Sequence, residues 1–382
     1  MACGLASGLK DLCNVDSDCS AGRSCRSGTC GPAVAAPSDE GCPPPCSATP
    51  LSDGSLPDAD APDAGAPDAR HLPDSSMAPD GAPKPPPPPF QSCAGGGGGK
   101  SDCGPSRTES CCAALPVSGG NFFRSYDGVT FSSQGAPAVV SSFALDKFEV
   151  TVGRFREFTK AVTAGFRPKN GDGKHAHLPG GGLNSGTEIG WDPSWTSSLP
   201  ATSADWDAAL ACAANTTWTQ APSTGETLPI TCASWIDLYA FCIWDGGFLP
   251  TETEWDYAAA GGAEQRVYPW SSPPSSTAID CTQANYAACG PAVANAGKTT
   301  AGRGRWGHAD LAGNVWERTL DVDGAYSSMS SDAAPLSGTV RTLRGGSYVS
   351  GSAATTLTAS FRNHAPDTSR DTIVGGRCAR RP

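Results

Sequence analysis

The 382 residues contain no long run of lysine or arginine, and the formal net charge is −11. Without a basic stripe there is no footprint for phosphate backbones or anionic membrane surfaces, so nucleic acid is excluded as a partner. No apolar stretch approaches the roughly 20 residues that span a bilayer, so no membrane span is expected. The start also lacks the hydrophobic segment of a cleaved export signal. One reading makes Met1-Ala2-Cys3 the tail of a lipoprotein signal, with Cys3 as a lipid anchor; the other is a clipped chain or an unusual export route.

Turn-formers and cysteines are abundant instead. Gly (46) and Pro (34) make up about a fifth of the chain, too much for a mostly helical protein, and there are 17 Cys. So many cysteines suit an oxidising compartment, which points to an extracellular or periplasmic location, with a cell-surface lipoprotein as one form of it.

Three regions follow from composition. Residues 1–47 form a Cys-rich segment in which Cys13, Cys19, Cys25 and Cys30 are separated by small polar residues. A piece this poor in large apolar side chains needs disulfides in place of a core, and it lacks the close Cys-x2-Cys or His partners of a zinc site. Residues 48–92 repeat Pro57-Asp58-Ala59, Pro62-Asp63-Ala64 and Pro67-Asp68-Ala69 and close with Pro85–Pro89. Fixed φ angles and repelling carboxylates make this an extended spacer. Residues 93–382 hold all ten tryptophans and form the working domain.

Within that domain, Phe143–Val150 has the composition of a strand. Thr151 offers an N-cap to a helix with Val152, Phe155, Phe158 and Val162 on one face. Ser234 with Asp237, and Thr251 with Glu254, have capping-box spacing, and Gly246-Gly247 and Gly261-Gly262 end the helices that follow. Brief strands are expected at 314–319, 340–343 and 359–362. A few helices in a loop-rich, mainly antiparallel arrangement predict an α+β fold.

Several blocks occur in a fixed order: Phe148-Glu-Val-Thr-Val152, Leu228-Pro-Ile-Thr-Cys-Ala-Ser-Trp235, Phe248-Leu-Pro-Thr-Glu-Thr-Glu-Trp-Asp-Tyr-Ala-Ala-Ala-Gly-Gly262, Tyr268-Pro-Trp270, Asp310-Leu-Ala-Gly-Asn-Val-Trp-Glu317, Leu343-Arg-Gly-Gly-Ser-Tyr348 and Gly375-Gly-Arg-Cys378. Over roughly 260 residues this series resembles the formylglycine-generating enzyme family, the sulfatase-modifying factor domain. The resemblance implies a C-type-lectin-like variant fold that binds calcium. The same scaffold serves oxidases that convert a cysteine in Cys-x-Pro-x-Arg to formylglycine, sulfoxide synthases, and members without known catalysis, so fold alone does not settle function.

The resemblance also supplies tests at individual positions. The family's oxidases hold copper(I) with two cysteines five residues apart after Arg-Gly-Gly-Ser, and copper(I) requires such soft ligands. Here the matching residues are Ser350 and Thr355, so copper and oxidase chemistry are not expected. Ile373 and Gly376 depart from the family's Asn and Phe near the C-terminal motif, which puts the peptide-binding surface in doubt. By the same resemblance Cys378 pairs with Cys242. The sulfoxide-synthase reading needs a His-x3-His-x-Glu iron site, whereas His175 and His177 sit in a Gly/Pro-rich loop and read as solvated histidines.

For calcium, the resemblance assigns the Asp310 and Glu317 side chains and the Gly313 and Val315 carbonyls, oxygen ligands of the kind calcium takes. The alternative is a turn cap at Asp310 and an ion pair at Glu317. A weaker second calcium site matches Asn285 and Tyr286 but lacks its downstream Asp, and a Cys281–Cys289 disulfide is the alternative way to close that loop. Trp316, Ser347 and Arg362 match residues of the family's substrate groove, or else serve as core, turn and partner to a buried carboxylate.

The leading expectation is therefore an exported, calcium-stabilised binding module for an unidentified protein, peptide or glycan. The competing reading is a modifying enzyme with a changed centre, its thiols supplied by residues such as Cys111 and Cys112, although these are expected to join Cys93 and Cys103 in disulfides. A purely structural envelope role is the third.

Overall fold

The computed structural model describes residues 23–26, 29–32, 90–326 and 330–382. The chain separates after Pro86 into two units. In the first, β1 (Arg23–Arg26) and β2 (Thr29–Pro32) form an antiparallel hairpin with Cys25 opposite Cys30. Cys3, Cys13, Cys19 and the Pro-Asp-Ala repeats lie outside the described residues.

In the second unit the strands are β3 (Ala114–Val117), β4 (Gly120–Phe123), β5 (Pro137–Val140) and β6 (Phe143–Asp146). Five helices follow: α1 (Val152–Thr163), α2 (Leu183–Gly186), α3 (Ser203–Leu210), α4 (Trp235–Trp244) and α5 (Glu252–Ala259). The rest are β7 (Trp316–Val322), β8 (Ser330–Ser331), β9 (Val340–Arg344), α6 (Ala353–Thr356), β10 (Arg362–Pro366), β11 (Val374–Gly375) and β12 (Ala379–Arg380). Three small sheets run in the orders β10-β9-β7-β11, β12-β6-β3 and β4-β5-β8. The α+β expectation holds.

Local chemistry starts the helices where the sequence places them. The Thr151 side chain accepts from Arg154 N, and Ser234–Asp237 and Thr251–Glu254 both form complete capping boxes. Each cap contributes about 1 kcal/mol. Helix α1 turns Phe155 and Phe158 onto Trp206 and Phe241, with ring centroids 5.7 Å apart in each pairing. Two strand expectations shift. The 143–150 strand stops at Asp146, and Thr151 makes only an isolated bridge to Pro229. The strand expected at 359–362 begins at Arg362, because Ala359 N bonds instead to Val267 O and Phe361 N to Thr358 O.

The segment entering the domain is held by charge. Arg154, wholly buried, reaches Asp245 at 2.8 Å and Asp146 at 3.0 Å, and Ser92 N donates to Asp245 Oδ1 at 2.8 Å.

Five disulfides join Cys93–Cys112, Cys103–Cys111, Cys212–Cys232, Cys242–Cys378 and Cys281–Cys289. They use every cysteine from residue 93 onward. Among the described residues no helix is long and apolar enough to cross a membrane.

Candidate functional site

The segment from Asp310 to Glu317 leads into β7 at the centre of its sheet. Asp310, Gly313 and Asn314 all have left-handed φ angles, of 57°, 82° and 63°. A Cβ at Gly313 would come within 2.4 Å of the Asn285 carbonyl, so only glycine allows the close approach. Gly313 N donates to Gly345 O at 2.8 Å and Tyr348 N to Asn314 O at 2.8 Å, which ties the loop to the Arg-Gly-Gly-Ser segment.

Three carboxylates are buried around this loop. Glu317 receives Arg377 Nε at 2.7 Å and Nη2 at 2.6 Å, plus the Trp255 indole N–H at 2.9 Å. Asp310 accepts from Gly297 N and Thr299 Oγ1. Glu149 accepts from Asn314 Nδ2 at 2.6 Å and Val315 N at 3.3 Å. Burial, reinforced by the Asp310 and Glu317 charges, holds the Glu149 carboxyl well above the usual range. Burial likewise raises Asp310. The sequence reading missed Glu149, which lies more than 160 residues away on the strand-like block before α1.

The Asn285 side chain is already engaged, donating to Ala292 O at 3.0 Å and Asn314 Oδ1 at 3.1 Å. Its loop, which includes Tyr286, is closed by the Cys281–Cys289 bond.

At the positions that the resemblance assigns to copper ligands, Ser350 Oγ accepts from Ser347 N at 3.0 Å within a tight turn. Thr355 lies on α6, where its carbonyl accepts from Thr358 Oγ1 at 2.9 Å. The Ser347 hydroxyl is fully buried and has no hydrogen-bond partner among the described residues. Trp316 is core-like, packed with Leu343 and Val374 and 6.0 Å from the Phe361 ring. Arg362 Nη2 donates to the buried Glu252 at 3.0 Å and the guanidinium lies 4.5 Å over the Tyr326 ring. Arg344, from the neighbouring strand, joins the same carboxylate at 2.8 Å and Asp256 at 3.2 Å. Burial and the nearby Glu252 charge push Asp321 up to about 8.

The expectation of solvated loop histidines fails. His175 is wholly buried, its Nδ1 2.9 Å from Glu188 and its Nε2 3.2 Å from Glu254, the residue that caps α5. His177 stacks on Phe248 with centroids 5.3 Å apart, and both its ring nitrogens are buried without partners among the described residues. The carboxylates that recruit His175 stand 13 and 79 residues away, beyond the reach of local patterning.

Burial opposes charge on His175, but the two carboxylates outweigh it and raise its pKa to about 10. Because the folded value lies above the unfolded one of about 6.5, the stabilisation is complete below pH 6.5 and is lost as pH rises through 10. We expect His175→Ala to destabilise the protein by about 3 kcal/mol at pH 6, by leaving two carboxylates facing each other. The deficit should shrink on approaching pH 10, as denaturation followed across that range would show.

Fold and site together define a loop-rich α+β domain stapled by disulfides around a buried acidic loop. Residues 100–382 match the sulfatase-modifying factor enzyme 1-like domain, and the chain belongs to this family. It is 33% identical over 166 residues to the inactive C-alpha-formylglycine-generating enzyme 2 of Mus musculus, covering 40% of this chain and 49% of that protein. The chain thus spans about half the length of that relative. It is 29% identical over 235 residues to the formylglycine-generating enzyme of Thermomonospora curvata, covering 55% of this chain and 72% of that one. Among solved structures, PvdO from Pseudomonas aeruginosa superposes with a TM-score of 0.49 at 19% identity, over 70% of this chain and 94% of PvdO.

Proposed function

We propose that this protein is an exported, calcium-stabilised binding module that lacks formylglycine-generating oxidase activity. The observation that carries the reading is the sulfur chemistry. By the resemblance, Ser350 and Thr355 match the positions of the copper-binding thiols, and all ten cysteines from residue 93 onward are disulfide-bonded. Hydroxyl oxygens are hard donors and do not replace thiolates toward copper(I). Cys111 and Cys112, the alternative thiol source, are committed to Cys103 and Cys93.

The density of disulfides supports export to an oxidising compartment. By the resemblance, the region of Trp316, Ser347 and Arg362 is the proposed binding region; of the three, Arg362 retains some exposure, while Trp316 and Ser347 are buried and would shape it from beneath. Alkylation of the unreduced, denatured full chain, followed by peptide mapping, tests the thiol premise. No label is expected on any cysteine from 93 to 378; two labelled residues would restore an oxidase centre.

Calcium is proposed at the acidic loop. Three carboxylates are buried near one guanidinium, hard oxygen donors of the kind this ion takes; among the described residues no three acidic, His or Cys side chains converge as a ready-made metal site, so backbone carbonyls would have to complete it. Asp310 and Glu317, with the Gly313 and Val315 carbonyls, would hold it; Glu149 adds a further carboxylate beside them, and Glu317 would share its oxygens with Arg377. For the Asn285 and Tyr286 loop we favour the Cys281–Cys289 closure over a second ion. Binding must displace protons from carboxyls whose values are raised, so affinity should increase from pH 5.5 to 8. At a hundredfold excess over Kd, calcium adds about 2.7 kcal/mol of stability. Thermal melts with calcium and with chelator should differ accordingly, and Asp310→Asn should reduce the difference.

A further inference from the structure

A cleft of about 460 Å³ opens between β4, β5 and the turn carrying Ala263 and Gln265, and its lining shares no residue with the acidic loop or with Trp316, Ser347 and Arg362. The volume falls in the range of small-molecule sites. Two of its walls are aromatic: the Phe123 and Tyr126 rings lie 5.8 Å apart and inclined at 69°. Phe122 lines it too, buried and braced edge-on against Tyr257 at 5.1 Å. Val139, 42% exposed, continues the apolar surface along β5.

The walls are built in advance of any ligand. Gln265 adopts a left-handed conformation, with φ of 52°. From there its Oε1 accepts from Phe123 N at 2.5 Å, and its Nε2 donates to Phe123 O at 3.2 Å and Tyr126 O at 2.9 Å. One side chain therefore fixes the backbone of both aromatic walls, which lowers the ordering cost of binding.

The polar lining narrows the ligand. Asn121 and Gln134 are exposed, and their side-chain amides make no hydrogen bond among the described residues. Apart from the Tyr126 phenol, no ionisable side chain lines the cleft. A charged ligand would lose hydration here without a counter-charge, and an acyl chain would leave both amides unused. A ring with an apolar face and a hydroxyl rim matches both features. We propose that this cleft binds a neutral pyranose unit of a glycan.

Saturation-transfer NMR on the full chain with cellotriose, maltotriose and chitotriose tests this. At least one should receive saturation from the protein. Tyr126→Ala should weaken that saccharide about tenfold, the loss of one stacking contact of about 1.4 kcal/mol. Gln134→Ala, at an exposed position, should weaken it severalfold with an unchanged melting temperature. Absence of transfer to all three, or transfer unaltered in both variants, would overturn the proposal. So would transfer confined to 1-octanol and abolished by Tyr126→Ala, which would mark an apolar-ligand site.

Discussion

A chain carrying Cys242→Ala and Cys378→Ala should melt about 10 °C below the unmodified protein under oxidising conditions. The bond joins the last turn of α4 to the residue before β12, 136 positions apart in sequence. Closing a loop of that length restricts the unfolded chain by about 5 kcal/mol in the chain-entropy model, and loss of a native disulfide typically costs about 2–5 kcal/mol. Both sulfurs are buried in the core that holds Phe155, Phe158 and Trp206. Replacement by alanine therefore also opens a small void. For a domain of this size each kcal/mol shifts the midpoint by about 2–4 °C. Scanning calorimetry of the double variant checks the value, and a midpoint within 2 °C of the parent would show that the bond contributes little.

Arg377→Met should be at least as damaging at pH 8. The Arg377 guanidinium donates to both Glu317 oxygens and also to the carbonyls of Asp146, Lys147 and Ala309. Removing it leaves Glu149, Asp310 and Glu317 buried with no cation beside them, and breaking such a pair costs about 3–5 kcal/mol. The sign of the pH dependence follows from the direction of the shifts. Glu149 and Asp310 are already raised by burial, and without Arg377 they should rise further. A carboxyl raised in the folded state favours folding when protonated, so the variant's deficit should narrow as pH falls toward 5 and widen as it rises. Urea denaturation at pH 5, 6.5 and 8 would reveal this. On the proposed calcium reading, added calcium also narrows the deficit at pH 8.

The legible parts of this protein are those written in short range. Ser234 with Asp237 and Thr251 with Glu254 lie three residues apart, so their capping boxes can be read directly and the structure forms both. The Arg-Gly-Gly-Ser segment and the acidic loop are recognisable as ordered motifs. What escaped depends on distance in sequence. His175 looks solvated among its Gly and Pro neighbours, yet Glu188 and Glu254 converge on it from separate elements. Glu149 is one residue in an apolar block until the fold sets it beside Asn314 and Val315. The Cys212–Cys232 bond was likewise unforeseen, since neither residue belongs to a spacing that favours one partner. Of the two uses the sequence allows Arg362, the structure shows the pairing with the buried Glu252.

The most direct test of the binding-module reading is mass spectrometry of a Cys-x-Pro-x-Arg peptide incubated with the folded full chain, copper(I), calcium and oxygen. The cysteine should remain unmodified, because Ser350 and Thr355 provide no thiolate to hold copper or carry the oxidation. Conversion of that cysteine to formylglycine, lost when the protein is omitted or heat-denatured, would contradict the reading and require a redox centre elsewhere in the chain.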